Sequence, residues 1–349
     1  MRNKICIIYA GFLFLFLSGC VHLPETIKDI TTLKQDNLFY LDRITSDNDL
    51  LTASNRGKFE RQFNTLFFAP WHRAEPPFTL EDVCLPFKEY KENPGFGENK
   101  RKHSPKWLVE LEELADLTNY PNTQLKGITV RNTNLRSLPT SKPHFNDFNL
   151  PGEGYPFDNL QNSALCANTP VFISHISKDG SWVLAESAFP LGWIPIDDVA
   201  FVDDEFIQRW ETNEYIAVIR DKTPVYDKDG RVRFKANIGA IFPKISEDKD
   251  NFEFLLGVSD ANRKAVILRG MLPKMSAVTK PLRATQRNVA QLANDLLGQT
   301  YGWGGMYENR DCSAMVRDLF VPFGIWLPRN STEQAKAGRF IPLKELGPS

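Results

Sequence analysis

A run of short β-rich segments, punctuated by proline and Asp-Gly pairs, occupies the middle of the chain and excludes a helical bundle there. It opens with Ile128-Thr-Val-Arg-Asn-Thr-Asn-Leu-Arg-Ser-Leu-Pro139. Thr169-Pro-Val-Phe172 follows, then Lys178-Asp-Gly180 and Ser-Trp-Val-Leu. The same order returns as Thr223-Pro-Val-Tyr226, Lys228-Asp-Gly230 and Arg-Val-Arg-Phe. Asp-Gly supplies the positive φ that a two-residue hairpin prefers, and the alternating residues beside it read as strands. Asp179 and Asp229 are therefore turn residues, because a calcium loop needs several more oxygen ligands. Two consecutive units of this kind predict two small β-barrels in tandem, about 125–207 and 208–278.

The flanks have a different period. From Thr26 to about Asn122 the pattern is mostly helical, with Trp107, Leu108, Leu111, Leu114 and Ala115 on one face. The stretch AEPPFTLEDVCLPF between helices reads as a packed connection. From Thr285 a second helical pattern places Val289, Leu292, Ala293, Leu296 and Leu297 together, and Gly298 ends it. A chain of 349 residues exceeds one small core, so several domains are expected. The formal net charge is −1 with no long basic block, which gives no reason to expect a nucleic-acid partner.

Cys6, Cys20, Cys84, Cys166 and Cys312 show no C-x-x-C pairing, and no histidines cluster beside them. No metal site or soluble cofactor is implied. Cys84 and Cys166 are either a disulfide or two isolated thiols. His72 and His103 fall among loops and helix ends and read as structural.

The first twenty residues, MRNKICIIYAGFLFLFLSGC, place Arg2 and Lys4 before an apolar stretch from Ile5 to Leu17. That stretch fits a signal-peptide core and is shorter than the ~20 residues of a spanning helix. Leu17-Ser18-Gly19-Cys20 resembles a bacterial lipoprotein signal. The resemblance implies removal of residues 1–19, a lipid on Cys20 and a membrane anchor facing the periplasm or cell wall. Val21 rather than Asp follows, as in lipoproteins forwarded to an outer membrane.

Leu135-Arg-Ser-Leu-Pro139, Gly154-Tyr-Pro-Phe-Asp158, Asp179-Gly-Ser-Trp182 and Gly192-Trp193 together resemble bacterial SH3-like domains. At the other end, Asp311-Cys-Ser-Ala-Met-Val-Arg-Asp-Leu-Phe320 sets positions 312, 315, 316, 319 and 320 on one helical face. Two readings of Cys312 follow. In one, Asp311 caps the helix and Cys312 begins a buried apolar stripe. In the other, the helix N-terminus activates a thiolate. A helix end contributes up to ~2 kcal/mol, whereas a papain-like nucleophile needs roughly 7 kcal/mol, so a histidine must pair with the thiol.

Tyr301-Gly-Trp-Gly-Gly305, Asp311-Cys312-Ser313, Leu327-Pro-Arg-Asn-Ser-Thr-Glu-Gln334 and Gly338 resemble the start of an NlpC-type, papain-like peptidase domain. With a helical domain at 20–124 and two SH3-like units before it, the chain resembles the multidomain branch of that family. The implied fold is α+β and multidomain, closing with the first half of a papain-like domain at 279–349. The implied activity is cleavage of the γ-D-glutamyl–diamino-acid bond of peptidoglycan stem peptides. By position, Cys312 is the expected nucleophile, and Asp311 and Ser313 hold the substrate's free L-Ala ammonium. Tyr301 lines the site, and Tyr155 is a candidate contact from the first SH3-like unit.

The family places its catalytic histidine after the cysteine helix, yet all five histidines here lie between positions 22 and 175. The 349-residue chain alone is therefore expected to be inactive. The alternative expectation is a cell-wall-binding lipoprotein that works through its SH3-like units.

Overall fold

The structure is a computed structural model and describes residues 27–339 and Pro342. Cys6, Cys20 and the rest of the expected signal lie outside the described residues. Among those described, no helix is long and apolar enough to cross a membrane.

Among the described residues four α-helices come first: α1 (Lys28–Thr32), α2 (Ala53–Phe68), α3 (Leu80–Glu92) and α4 (Pro105–Ala115). Thr52 caps α2, its hydroxyl accepting from Asn55 N at 3.2 Å. The stretch read as a connection is half helix. Thr79 and Asp82 form a reciprocal capping box that starts α3 at Leu80, and the helix runs on through Pro86.

Two seven-stranded antiparallel sheets follow. The first holds β1 (Leu125–Thr129), β2 (Thr133–Arg136), β3 (Gln161–Leu165), β4 (Pro170–Ile176), β5 (Trp182–Glu186), β6 (Leu191–Pro195) and β7 (Val199–Phe201). After a short helix, α5 (Asp204–Trp210), come β8 (Tyr215–Val218), β9 (Thr223–Asp227), β10 (Val232–Ala236) and β11 (Ile241–Glu247). β12 (Asn251–Ser259), β13 (Ala265–Pro273) and β14 (Ala277–Lys280) complete the second. The strand orders are β3-β2-β6-β5-β4-β1-β7 and β10-β9-β13-β12-β11-β8-β14, the same order advanced by seven strands.

That topology corrects the repeat as the sequence presents it. Both Asp-Gly hairpins exist, with Gly180 at φ 70° and Gly230 at φ 79°. The first joins β4 to β5 and the second joins β9 to β10. Strands β9 and β10 occupy the places of β2 and β3, so the two T-P-V-aromatic hairpins are not topological counterparts. A hairpin signal is local and carries no information about its place in a sheet.

The described residues close with α6 (Gln286–Asp295), α7 (Cys312–Phe320) and α8 (Ser331–Ala337). The parts meet in one aromatic cluster, besides having cores of their own. Phe63, Phe67, Phe68 and Trp71 meet Ile128 and Ala200 of the first sheet, Phe206 and Trp210 of α5, Tyr215 and Ile241 of the second sheet, and Val321 beyond α7. Trp71 is fully buried and donates to Gly127 O at 2.7 Å, which satisfies its one polar atom. Cys84 and Cys166 are free thiols, so the disulfide alternative falls away.

Candidate active site

The loop that carries Tyr301 towards Cys312 lies against β3. Gly304 (φ 58°) and Gly305 (φ 88°) are left-handed, and both touch the first sheet. A Cβ on Gly304 would stand 2.5 Å from Gln161 O, and one on Gly305 2.6 Å from Ala164 Cβ. Glycine is required twice over, for its φ and for the close approach. Gln161 Nε2 donates to Gly304 O at 3.1 Å, and Trp303 Nε1 to Asp158 O at 3.1 Å. Tyr301 then bridges Arg310 in parallel, with Gly302 N donating to Arg310 O at 3.0 Å.

Asp311 ends the loop and caps α7, its Oδ1 accepting from Ala314 N at 2.8 Å. Its carboxylate is buried, and Arg329 faces it with Nη2 on Oδ2 at 2.6 Å and Nη1 on Oδ1 at 3.2 Å. Burial alone pushes that carboxyl up, but the Arg329 and Ala314 hydrogen bonds outweigh it and hold Asp311 below the usual carboxylate range. Arg329 also donates to Ser313 Oγ at 3.0 Å and Ser163 Oγ at 2.7 Å, so one guanidinium joins the helix start to the first sheet. Gln334 Nε2 donates to Ser313 O at 2.8 Å. Both residues stand in the stretch 327–334, which the sequence offered without individual roles. The signal for Arg329 is physical: a buried carboxylate calls for a cation.

Cys312 is exposed, and this corrects the buried-stripe reading. The buried side of α7 is Ser313, Ala314, Arg317 and Asp318, whereas Met315 is 40% exposed and Val316, Leu319 and Phe320 are half-buried. The polar face goes inward because its charges are paired there. Arg317 Nη2 meets Asp318 Oδ1 at 2.7 Å, and Arg310 Nε meets Asp318 Oδ2 at 2.8 Å. The apolar stripe is open at its start, at the thiol and Met315, while Leu319 and Phe320 pack against Ala284, Leu292 and Phe323.

Tyr301 is 47% exposed. Partial burial first, then the negative charges of Asp311 and a Cys312 thiolate, push its phenol above the ordinary range. The phenol therefore shares the electrostatic field of both groups and stays protonated at neutral pH. Tyr155 is exposed and lies away from the core. The described histidines are engaged elsewhere: His72 pairs with Glu211, His103 bonds Pro143 O, His144 bonds Asn93 O and His175 bonds Ala115 O. Among the described residues, no group of His, Cys, Asp and Glu is arranged to hold a metal ion.

Comparison with known proteins gives the same order of parts. Residues 7–120 match the NLPC_P60 stabilising domain, 143–195 an SH3 domain of SH3b1 type, 203–249 an SH3 domain of SH3b2 type, and 298–348 the NlpC/P60 family. A solved NlpC/P60 endopeptidase from Photobacterium damselae subsp. piscicida superposes with a TM-score of 0.75 and 31% identity, covering 87% of this chain and 70% of that one. A gamma-D-glutamyl-L-lysine dipeptidyl-peptidase of Bacillus subtilis is 34% identical over 65 residues, which is 18% of this chain. The chain spans only 22% of that relative's length. With a stabilising domain, two SH3b domains and the cysteine-bearing start of the peptidase domain in sequence, the chain belongs to the NlpC/P60 family of cysteine peptidases.

Proposed function

We propose that the protein is a lipid-anchored endopeptidase of the bacterial cell envelope. Its substrate is a peptidoglycan stem peptide with a free N-terminal L-Ala, cut at the γ-D-glutamyl–diamino-acid bond. The observation that carries this reading is the exposed Cys312 at the start of α7, set between the buried Asp311–Arg329 pair and Tyr301. A thiolate there attacks the γ-carbonyl of D-glutamate, the diamino acid leaves as its amine, and water releases the acyl group from sulfur. The protonated Tyr301 phenol and the backbone N–H groups at the start of α7 are donors for the developing oxyanion. Asp311 Oδ2 accepts one hydrogen bond, from Arg329, and keeps a lone pair for a substrate ammonium, with Ser313 beside it. The bond named for the Bacillus subtilis relative supports the γ-D-glutamyl class. Cys20, after Leu17-Ser18-Gly19, carries the lipid, and the chain faces the periplasm. An outer-membrane address follows where the host has one.

The chemistry needs a base at Cys312, and none of the four described histidines stands beside it. We expect the 349-residue chain alone to be inactive until a histidine reaches the thiol from a longer form or another polypeptide. The test is hydrolysis of L-Ala-γ-D-Glu-diaminopimelate by a form extended with a histidine-bearing sheet segment. Loss of all turnover in Cys312→Ala supports the reading, and turnover that survives this substitution removes Cys312 as nucleophile.

The engagement of those histidines also favours a second reading, a cell-wall-binding lipoprotein without catalysis. It requires that the 349-residue protein be retained on purified sacculi whether or not Cys312 is present. Failure of sacculi to retain it ends that reading.

A further inference from the structure

We propose that Asp221, in the turn between β8 and β9 of the second sheet, is a positioning residue for Cys312 and acts through Arg310. The inference rests on Cys312 being the nucleophile. Arg310 precedes the Asp311-Cys312 pair, and its backbone carbonyl holds the Tyr301 loop through Gly302 N at 3.0 Å. Its side chain is buried, and each of its five N–H donors has an acceptor. Nη1 donates to Asp221 Oδ2 at 2.8 Å and Gln299 Oε1 at 3.3 Å. Nη2 donates to Asp221 Oδ1 at 2.8 Å and Ile238 O at 3.0 Å, and Nε to Asp318 Oδ2 at 2.8 Å. Three of the five acceptors thus come from the loops that join β8 to β9 and β10 to β11.

Asp221 is itself locked. Ile238 N donates to its Oδ1 at 2.9 Å and Gln299 Nε2 to its Oδ2 at 2.7 Å. A paired, bidentate carboxylate fixes both the place and the plane of the guanidinium. Burial by itself raises the Asp221 carboxyl, and the Arg310 bonds and charge more than offset that, so it is held low and stays ionised.

The geometry reaches the thiol by two routes. Through the backbone, Arg310 sets where the Asp311 cap begins α7. Through its Nε, it grips Asp318, nearly two turns along the same helix, and so fixes the rotation of α7 about its axis. A rotated α7 would carry Cys312 off the open face. Gly239 (φ 90°) lets the second sheet approach this helix, since a Cβ there would stand 3.1 Å from Asp318 O. Without Asp221, Arg310 would lose its bidentate partner and keep only Gln299 Oε1, Ile238 O and the Asp318 carboxylate that it shares with Arg317, so the plane of the guanidinium would no longer be fixed. The second SH3b domain therefore serves the nucleophile through Arg310, beyond any docking to cell wall.

The experiment uses the 349-residue protein and iodoacetamide, with Cys312 alkylation followed by peptide mass mapping across pH 6–10 as the range studied. Asp221→Ala is expected to lower the Cys312 rate by about tenfold and to displace its pH profile upward, because a thiol moved off the start of α7 loses the N–H groups and dipole that favour the thiolate. In an Arg310→Met background the same substitution should have no further effect. The proposal is overturned if Asp221→Ala lowers Tm while the Cys312 profile stays on that of the wild type, or if its effect persists in the Arg310→Met background. Where Asp221→Ala does not fold, Asp221→Asn, which keeps one acceptor for Arg310, is read by the same two criteria. If Cys312→Ala in the histidine-extended form still hydrolyses L-Ala-γ-D-Glu-diaminopimelate, the nucleophile reading itself has failed, and the proposal falls with it whatever Asp221 does.

Discussion

A carboxylate as buried as Asp311 needs a cation, and Arg329 supplies it from 18 residues along the chain. The need for a partner is readable from the residue types; its identity is not, because any of the surrounding arginines meets the requirement on paper. Glu186 shows the opposite case. Its side chain is fully buried, Arg73 Nη1 approaches only to 3.5 Å, and neither carboxylate oxygen makes a hydrogen bond. Ser174 lies alongside, its hydroxyl also unpartnered by geometry. Burial therefore dominates and pushes Glu186 up from an ordinary 4.5 to about 7. The sign follows from proton binding. Between pH 4.5 and 7 the folded protein keeps a proton that the unfolded chain has released, so stability falls as pH rises through that window. The loss amounts to about 3 kcal/mol in total. Thermal unfolding of wild type and Glu186→Gln from pH 4.5 to 8 checks this: the wild type should lose stability relative to the variant as pH rises. Parallel curves would mean that Glu186 ionises freely.

At the scale of elements, helix α7 inverts its own pattern. Its apolar residues recur at helical spacing, and that spacing ordinarily marks the face turned to the core. Here Arg317 and Asp318 turn inward because Asp318 pairs with both Arg317 and Arg310, and a charge pair once buried is costly to break. The existence, start and cap of the helix were legible in Asp311 and the residues after it. Its facing was not, since periodicity identifies a stripe without saying what the other stripe meets. The glycine loop beside it makes a testable pair. Gly305→Ala adds a left-handed strain and a contact with Ala164, whereas Gly152→Ala (φ 81°) adds the strain alone, with nothing within 4 Å. The second should cost about 1–2 kcal/mol. The first should cost more by about 1–3 kcal/mol of overpacking, and should speed hydrogen exchange at 302–309. Equal costs would show that the loop does not depend on its contact with β3.

Across the whole molecule, the aromatic junction makes the parts interdependent. Trp71 sits where the helical region, both sheets and the segment after α7 meet, so its removal should be felt everywhere. Trp71→Ala should cost about 3–5 kcal/mol, read by calorimetry as one unfolding transition that moves down intact. Two separate transitions in the wild type would show that the junction does not couple the sheets. By itself the sequence determined what a few neighbouring residues decide: the Asp-Gly turns, the helical periods, the Asp311 cap and the cysteine motif at the start of α7. Such features depend on local backbone preference, which a short stretch states in full. Only the tertiary structure decided that the two T-P-V hairpins occupy different places in their sheets, that the thiol faces outward, and that Asp221 meets Arg310 across 89 residues of chain. Those outcomes depend on which buried charges satisfy one another once water is excluded, and that choice is made among distant partners rather than along the chain.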